Sequence, residues 1–425
     1  MADFVGNVRP DFSLDDTRRP NWSPGIQQYQ PCWSIACASS SISGKKYHNI
    51  AIFAAGLTFA QILLFIQIMP KFHPLKIRDI KRETGDCVSI GFDVPVELKK
   101  EYDFEPGQHL TLRTHLEGEE IRRSYSICTS PFSGELRVAV KKVAGGRFST
   151  FANEKLKVGE TLDVMTPMGT FTTKLSPGQA RHYVAFAAGS GITPVISILK
   201  TALETELASF FTLFYANQRS NSVIFLEQLD ALKSKFMERL SVHHILTQED
   251  PGTELLYGRI DEGKCSRLCE VFLDVKDVDE FFLCGPQEMI KGVKEALSKM
   301  GVDGRKIHFE LFAAAPASKT GSTTKWTPPV QPVLSEITIT LDGKTFTFDH
   351  TSSGLPILDA AQKAGAGLPY ACKGGVCCTC KARVLEGAVE MEVNYGLEPE
   401  QVAAGYVLTC QSHPKTTRVV LSFDE

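Results

Sequence analysis

Hydrophobic and polar positions keep three different rhythms in succession along this chain. From Leu75 to about Pro177 they alternate over short segments, such as Val88–Val94, His109–Arg113, Glu135–Val140 and Thr161–Val164, with Pro106-Gly107 and Ser133-Gly134 as punctuation. Short period-two segments separated by turn residues predict an antiparallel barrel or sandwich. From His182 the rhythm changes. Apolar runs (Tyr183–Ala187, Phe210–Tyr215, Val242–Leu246, Glu280–Cys284, Lys306–Leu311) alternate with amphipathic helical stretches such as Thr193–Thr205 and Gln287–Met300. That βαβ series predicts a mostly parallel sheet with helices on its faces. The stretch from Ala313 to Pro332, rich in Ala, Ser, Thr, Lys and Pro, reads as a linker. Beyond it Glu336–Leu341 and Lys344–Phe348 alternate around Asp342-Gly343, a hairpin signal. The predicted divisions are an extension at 1–69, a barrel at 70–177, a parallel-sheet domain at 178–313, the linker at 314–332 and a terminal domain at 333–425.

The first 69 residues follow none of these rhythms. Residues 1–49 are polar and irregular, with a patch at Ala38-Ser39-Ser40-Ser41, and read as disordered. Ile50 to Met69 then runs without a charge or a proline. About 20 such residues are enough to span a bilayer as a helix, and the run lies too deep for a cleaved signal peptide. Lys45, Lys46 and Lys71 flank it on both sides, which leaves its orientation open. The alternative is a working protein that begins at Met69, where Met69-Pro70-Lys71-Phe72 opens directly into an alternating strand. On that reading the protein is cytoplasmic; on the other it carries a single membrane anchor at 50–69.

Composition narrows the function class mainly by exclusion. Among 425 residues, 46 Lys and Arg stand against 49 Asp and Glu, so no basic excess points to nucleic acid. Twelve cysteines is a high count, and their distribution is uneven. Cys372, Cys377, Cys378 and Cys380 crowd together while most others are scattered, which reads as metal ligation in a reducing compartment. The spacing Cys372-x4-Cys377-x2-Cys380, with Cys410 further on, is the arrangement that holds a plant-type [2Fe–2S] cluster. Structural zinc draws its ligands from separated close pairs, and no second close pair exists here. Cys378 reads as a bystander between ligands, and Cys265 and Cys269, at helical spacing, as helix packing.

Two further constellations suit nucleotides. Arg123-Ser124-Tyr125-Ser126 lies on a strand of the barrel, and Gly145-Gly146-Arg147-Phe148-Ser149-Thr150 opens a helix. Arg123 suits a phosphate bidentately, Tyr125 can stack on a ring, and Ser126 can reach the ring edge. Amides of Gly146 to Ser149 at a helix N-terminus favour an anion. Singly, these are ordinary strands and turns; their order along the chain gives them weight. Gly189-Ser190-Gly191-Ile192-Thr193-Pro194 follows the first parallel strand and opens its helix, where glycines let a pyrophosphate approach. After the second strand, Asn217-Gln218-Arg219-Ser220 offers no carboxylate for ribose hydroxyls, whereas Arg219 can meet a 2′-phosphate, which favours NADPH over NADH. Cys284-Gly285-Pro286 ends a later strand at the ligand-binding edge; the alternative for Cys284 is a small buried hydrophobe.

Residues from about Phe72 to Glu425, about five-sixths of the chain, resemble the ferredoxin–NADP reductase superfamily with a C-terminal ferredoxin. The carrying stretches are Pro106–Leu112, Gly145–Ser149, Ala188–Pro194, Cys284-Gly285-Pro286, Leu368–Cys377 and Asn394–Leu408. The resemblance implies a multidomain α/β and β protein: an antiparallel flavin-binding barrel, a parallel-sheet nucleotide-binding domain and a β-grasp ferredoxin domain. It implies FAD held by Arg123, Tyr125, Ser126 and the segment Gly146, Arg147, Phe148 and Ser149. NADPH would lie along Gly189, Gly191, Thr193, Pro194 and Arg219, with Phe312 near the flavin face. Ser126, Cys284 and Glu310 would surround the reacting atoms, Cys284 aligning the nicotinamide; His308 reads as structural. Cys372, Cys377, Cys380 and Cys410 would hold the cluster. The implied acceptor is an oxygenase, a di-iron enzyme acting on phenylacetyl-coenzyme A. Rivals are a reductase of the same design serving another oxygenase or hydroxylase, and a membrane-attached carrier without turnover.

Overall fold

The computed structural model describes residues 71–312 and 331–425. The polar stretch 1–49, the apolar stretch 50–69 and most of the linker lie outside them. Among the described residues no helix is long and apolar enough to cross a membrane.

The first sheet is built from β1 (Phe72–Thr84), β2 (Cys87–Asp93), β3 (His109–Leu116), β4 (Glu119–Ser126), β5 (Leu136–Lys141) and β6 (Thr161–Met165), in the order β4-β3-β6-β1-β2-β5, all antiparallel. A bridge between Ile127 and Val138, with Cys128 N–H donating to Arg137 O at 3.0 Å, ties the end of β4 to β5 and curls the sheet into a barrel. Inward-facing Leu75, Ile77, Ile90, Leu112, Val138 and Val164 fill it. Helix α1 (Arg147–Glu154) covers one mouth, with Phe148 buried among them. β3 departs from the expected alternation. Its polar His109 and Thr111 are as buried as Leu110 and Leu112 between them, so something covers the outer face.

The second sheet is parallel, in the order β11-β10-β7-β8-β9, from β7 (His182–Ala188), β8 (Phe210–Asn217), β9 (Leu240–Leu246), β10 (Glu280–Cys284) and β11 (Ile307–Glu310). Strands buried on both faces need continuous apolar runs, and these strands have them. One apolar cluster takes α2 (Ile192–Thr205) and α3 (Leu226–Lys235); the other takes α4 (Glu262–Phe272) and α5 (Gln287–Lys299). Cys265 and Cys269 pack inside α4, as their spacing predicts. Strand order reverses between β7 and β10, and a crevice opens at their carboxyl ends.

The third sheet is mixed: β13 (Lys344–Thr351), β12 (Leu334–Leu341), β18 (Arg418–Ser422), β14 (Lys381–Glu386) and β16 (Tyr406–Leu408), with β12 and β18 parallel and the rest antiparallel. β12 and β13 turn through Asp342-Gly343. Helix α6 (Ile357–Lys363) packs across the sheet through Ile357, Leu358 and Ala361 in the β-grasp manner, and β15 (Val389–Met391) pairs with β17 (Ser412–Pro414) beside it. This domain does not stand apart from the second. Val376 and Tyr395 join the apolar cluster around α4 and α5, and Lys294 Nζ lies 3.7 Å from Glu398. Full burial of a valine contributes about 1.5–3 kcal/mol, several times an exposed ion pair, so Val376 dominates this seam.

Candidate functional site

The loop between α6 and β14 carries three of the four expected ligands. Lys373 and Cys378 in it take φ values of 51° and 55°, a left-handed conformation that non-glycine residues hold only when their surroundings impose it. The result is a tight wrap with amides turned inward. Gly374 N–H and Cys377 N–H donate to Cys372 Sγ at 3.3 and 3.4 Å. Hydrogen bonding from the Cys377 thiol, then from these amides, draws the Cys372 thiol down to about 5. On the far side Cys380 and Cys410 are both buried. Thr409 N–H and hydroxyl both donate to Cys380 O, at 3.1 and 3.0 Å, which fixes the pair. The Cys380 thiol, the Gly375 amide and the Gln411 side chain lower the Cys410 thiol. Within each pair the hydrogen bond between the thiols lowers one and raises its partner. The donor set fits an iron–sulfur cluster: two close thiol pairs with inward amides, stabilising sulfur in its charged form. Cys378 stands outside both pairs, and burial pushes its thiol up to about 12.

The expected flavin residues gather at one mouth of the barrel. Tyr125 and Phe148 lie 5.4 Å apart at a tilt of 33°. Arg123 is exposed and donates to the neighbouring Arg122 carbonyl at 2.7 Å; among the described residues no carboxylate holds it, which suits a pyrophosphate. Gly146 caps α1, and a side chain there would fall 2.4 Å from Ser149 Oγ and 2.6 Å from a Val143 methyl. That cradle admits backbone alone, as an anion site made of amides requires. Ser149 Oγ accepts from Val143 N–H at 3.3 Å. Arg147 is committed elsewhere, to Glu119, Glu117 and the Leu116 carbonyl, so the structure offers it less freely than Arg123.

The nucleotide edge is assembled from both sides of the crevice. Gly189 and Gly191 follow β7, and Gly191 packs on the end of β10 so closely that a Cβ would lie 2.0 Å from Cys284 O. Tyr215 hydroxyl donates to Gly189 O at 2.9 Å, and Thr193 hydroxyl to Ser190 O at 2.9 Å, bracing the turn. Pro194 is buried in the first turn of α2. Arg219 is exposed at the end of β8. Glu249, invisible to a reading confined to the end of β8, arrives beside it from the loop after β9. It accepts from Ser220 N–H at 2.8 Å and from Ser220 hydroxyl at 2.9 and 3.0 Å.

Ser126, Cys284 and Glu310 come together from three strand ends. Ser126 Oγ donates to Glu310 Oε2 at 3.2 Å, and Glu310 borders Cys284 closely enough to raise its thiol further than burial does alone. Burial holds the Glu310 carboxyl up at about 8, which favours its neutral form, while burial takes His109 down to about 4. His109 Nδ1 stands 3.9 Å from Glu310. A cavity of about 310 Å³ runs from His109, Phe171 and Glu310 to Cys377 and Cys378, so the three sheets share one space. Phe312, half-exposed, lies two residues past Glu310. His308 stacks on Phe282 at 5.1 Å and pairs with Glu280 at 3.2 Å, a packing role. His109 itself escaped the sequence reading, in which it was only one alternating polar position.

Comparison with known proteins follows the same three-part division. Residues 74–173 match the oxidoreductase FAD-binding domain, 186–295 the oxidoreductase NAD-binding domain, and 339–415 the 2Fe-2S iron-sulfur cluster binding domain. The chain is 45% identical to one of the subunits of 1,2-phenylacetyl-CoA epoxidase from Escherichia coli K12, over 84% of this chain and 99% of that protein. It is 35% identical to the ferredoxin reductase component of 3-ketosteroid-9-alpha-monooxygenase of Rhodococcus rhodochrous, over 82% and 96% respectively. The fold is similar to that of phthalate dioxygenase reductase, with a TM-score of 0.51 at 21% identity, covering 83% of this chain and 98% of that one.

Proposed function

The chain belongs to the family of three-domain reductase components that supply electrons to oxygenases, and from that premise we propose that it draws on NADPH and serves a di-iron epoxidase of phenylacetyl-coenzyme A. It is an oxidoreductase with FAD-binding, NAD-binding and [2Fe–2S] domains. When bound, FAD takes a two-electron hydride from the nicotinamide nucleotide and yields single electrons, which the cluster relays to the acceptor.

The chain's residues supply position and polarity. Gly189, Gly191, Thr193 and Pro194 would present α2 to the nucleotide pyrophosphate, and Cys284 would help align the nicotinamide. Arg123 and the amides of Gly146 to Ser149 would hold the flavin pyrophosphate, and Tyr125 would stack on the ring. Ser126, with Glu310 beside it, would place its hydroxyl near the flavin ring. Burial that favours the neutral carboxyl of Glu310 would keep negative charge away from that ring. Phe312 would lie near its face, and Cys372, Cys377, Cys380 and Cys410 would hold the irons. We take 70–177 as the flavin module, 178–313 as the nucleotide module and 333–425 as the ferredoxin module.

The observation that supports this reading is the shared cavity, which His109 of β3 and Ile307 to Glu310 of β11 line together with Cys377 and Cys378 of the cluster loop. The identity over nearly the whole length of the epoxidase component supports the choice of partner. The test is reconstitution: this protein with the purified epoxidase, NADPH and phenylacetyl-coenzyme A should give NADPH oxidation matched by epoxide formation. Oxidation that stays uncoupled there, and becomes coupled with a different oxygenase component, overturns the partner and leaves the reductase.

NADPH rests on Arg219, and one observation favours NADH instead: Glu249 occupies the Ser220 amide and hydroxyl that a 2′-phosphate would seek. Arg219→Ala therefore decides. Loss of a phosphate contact should lower kcat/KM for NADPH about tenfold and leave NADH unchanged, since a hydrogen bond to a charged group contributes roughly 1.5–3 kcal/mol. An unchanged NADPH to NADH ratio would give the preference to Glu249 and NADH.

A further inference from the structure

The outer face of the β3–β4 pair is polar at every second position: Glu120, Arg122, Ser124 and Ser126 on β4, opposite His115, Arg113, Thr111 and His109 on β3. Such a row normally faces water. Here its middle is buried. His109 and Thr111 are 3% and 0% exposed, and the Arg122 side chain 10%. What covers it is the cluster loop of the ferredoxin module.

Both ends of that loop are pinned to this one face. At one end Tyr370, two residues before Cys372, lies under the Arg122 guanidinium at 4.1 Å from ring centroid to Cζ, with Phe72 at 5.1 Å from the same carbon. Glu120 Oε1 accepts from Arg122 Nε at 2.8 Å and from Tyr370 hydroxyl at 3.4 Å, joining cation and ring. Among the described residues Arg122 Nη1 is buried without a hydrogen-bond partner, so the guanidinium meets the Glu120 carboxylate at one edge and aromatic faces across its plane. At the other end Thr379, between Cys377 and Cys380, is 1% exposed. Its hydroxyl lies 3.3 Å from His109 Nε2 and 3.5 Å from Ser124 Oγ, which is itself 3.2 Å from Thr111 Oγ1.

We propose that this face is a docking latch, with Arg122 and Thr379 as positioning residues that hold the cluster loop against the flavin module in the pose for internal electron transfer. Thr379 hydroxyl also hydrogen-bonds the Cys377 thiol. Arg122 grips the loop before its first ligand; Thr379 places the backbone next to Cys380. Between them they fix both translation and tilt, which a single contact could not. A polar latch also suits a module that must accept electrons here and give them to a separate protein, because it releases without exposing a large apolar face. Polar continuity runs through the latch as well, from Ser126 to Glu310, to His109, to Thr379.

The inference takes from the proposed function only the direction of electron flow, and the experiment separates the two. Holoprotein carrying Arg122→Gln, Arg122→Lys or Thr379→Val is assayed with NADPH and NADH against ferricyanide, a small acceptor that takes electrons at the flavin, and against cytochrome c, which takes them through the cluster. Hydrogen–deuterium exchange is followed over residues 119–126 and 368–380. Arg122→Gln and Thr379→Val should lower cytochrome c reduction about tenfold, because a misplacement of about 1 Å costs far more rate than binding. Ferricyanide reduction should stay within about twofold, and both segments should exchange faster while the cluster's visible absorption is kept. Arg122→Lys, which retains a cation over Tyr370, should recover part of the loss. Wild-type cytochrome c rates and wild-type exchange in both Arg122→Gln and Thr379→Val overturn the latch. Should Arg122→Gln fail to bind flavin, Thr379→Val, in the other module, decides through exchange over residues 119–126, which loss of its bond to Cys377 would not change. Wild-type protein that reduces neither acceptor with either nucleotide would overturn the function instead, and the exchange data would still judge the latch.

Discussion

Cys380→Ser protein is expected to reduce cytochrome c at least about a hundredfold more slowly than wild type while reducing ferricyanide within about twofold of it, because four thiolates are needed to hold two irons. The argument is positional. Cys380 is buried against Cys410, and its carbonyl receives both the amide and the hydroxyl of Thr409. Serine keeps that backbone arrangement and removes only the thiol, so the fold of the ferredoxin module survives and the cluster does not. The flavin and nucleotide residues lie on other strands, so hydride uptake should continue. Visible absorption of the cluster should vanish with the cytochrome c activity. A Cys380→Ser protein with full cytochrome c activity would show that electrons leave without the cluster.

Gly191→Ala should act in the opposite pattern, lowering turnover with both acceptors equally. A Cβ at this position would sit 2.0 Å from Cys284 O and 2.5 Å from its carbonyl carbon, so α2 or the end of β10 must move. Neither moves cheaply, since Ile192, Val195 and Ile196 anchor α2 in a closed apolar cluster. Overpacking of this kind costs about 1–3 kcal/mol of stability. The larger effect is geometric. The shift separates the helix N-terminus from Cys284, the two sides of the nucleotide crevice, and a displacement near 1 Å should lower kcat/KM for the nucleotide about a hundredfold. Steady-state rates at varied nucleotide concentration check it, with flavin and cluster spectra confirming that both modules are intact. Unchanged kcat/KM would remove the crevice from the mechanism.

Local chemistry was legible in the sequence where a motif is contiguous. The cluster loop, the Gly189–Pro194 turn and the Asp342-Gly343 hairpin announce themselves because each is fixed by residues adjacent in the chain. The strand rhythm likewise reported both β modules and the βαβ series, since burial of one or both faces writes a period into the sequence. Legibility failed at contacts between distant segments. Glu249 reaches Ser220 across 29 positions, and nothing at the end of β8 forecasts it. His109 and Thr111 are polar at alternate positions and read as a wet face, yet Thr379, 270 residues from His109, covers them. Arg147 likewise meets carboxylates that its own segment does not announce, Glu117 and Glu119 from beside the β3–β4 turn.

Val376, from the cluster loop, completes the apolar cluster beneath α4 and α5, and this has a consequence for how the chain is made. On the ribosome the nucleotide module is finished at about residue 312, roughly sixty residues before Val376 is synthesised and longer still before Tyr395 joins it. At about 5–20 residues per second the gap lasts several seconds, during which a greasy seam stays open on a newly folded domain. Early folding would therefore be held short of completion until the C-terminal third emerges. Truncated chains should be prone to self-association for the same reason.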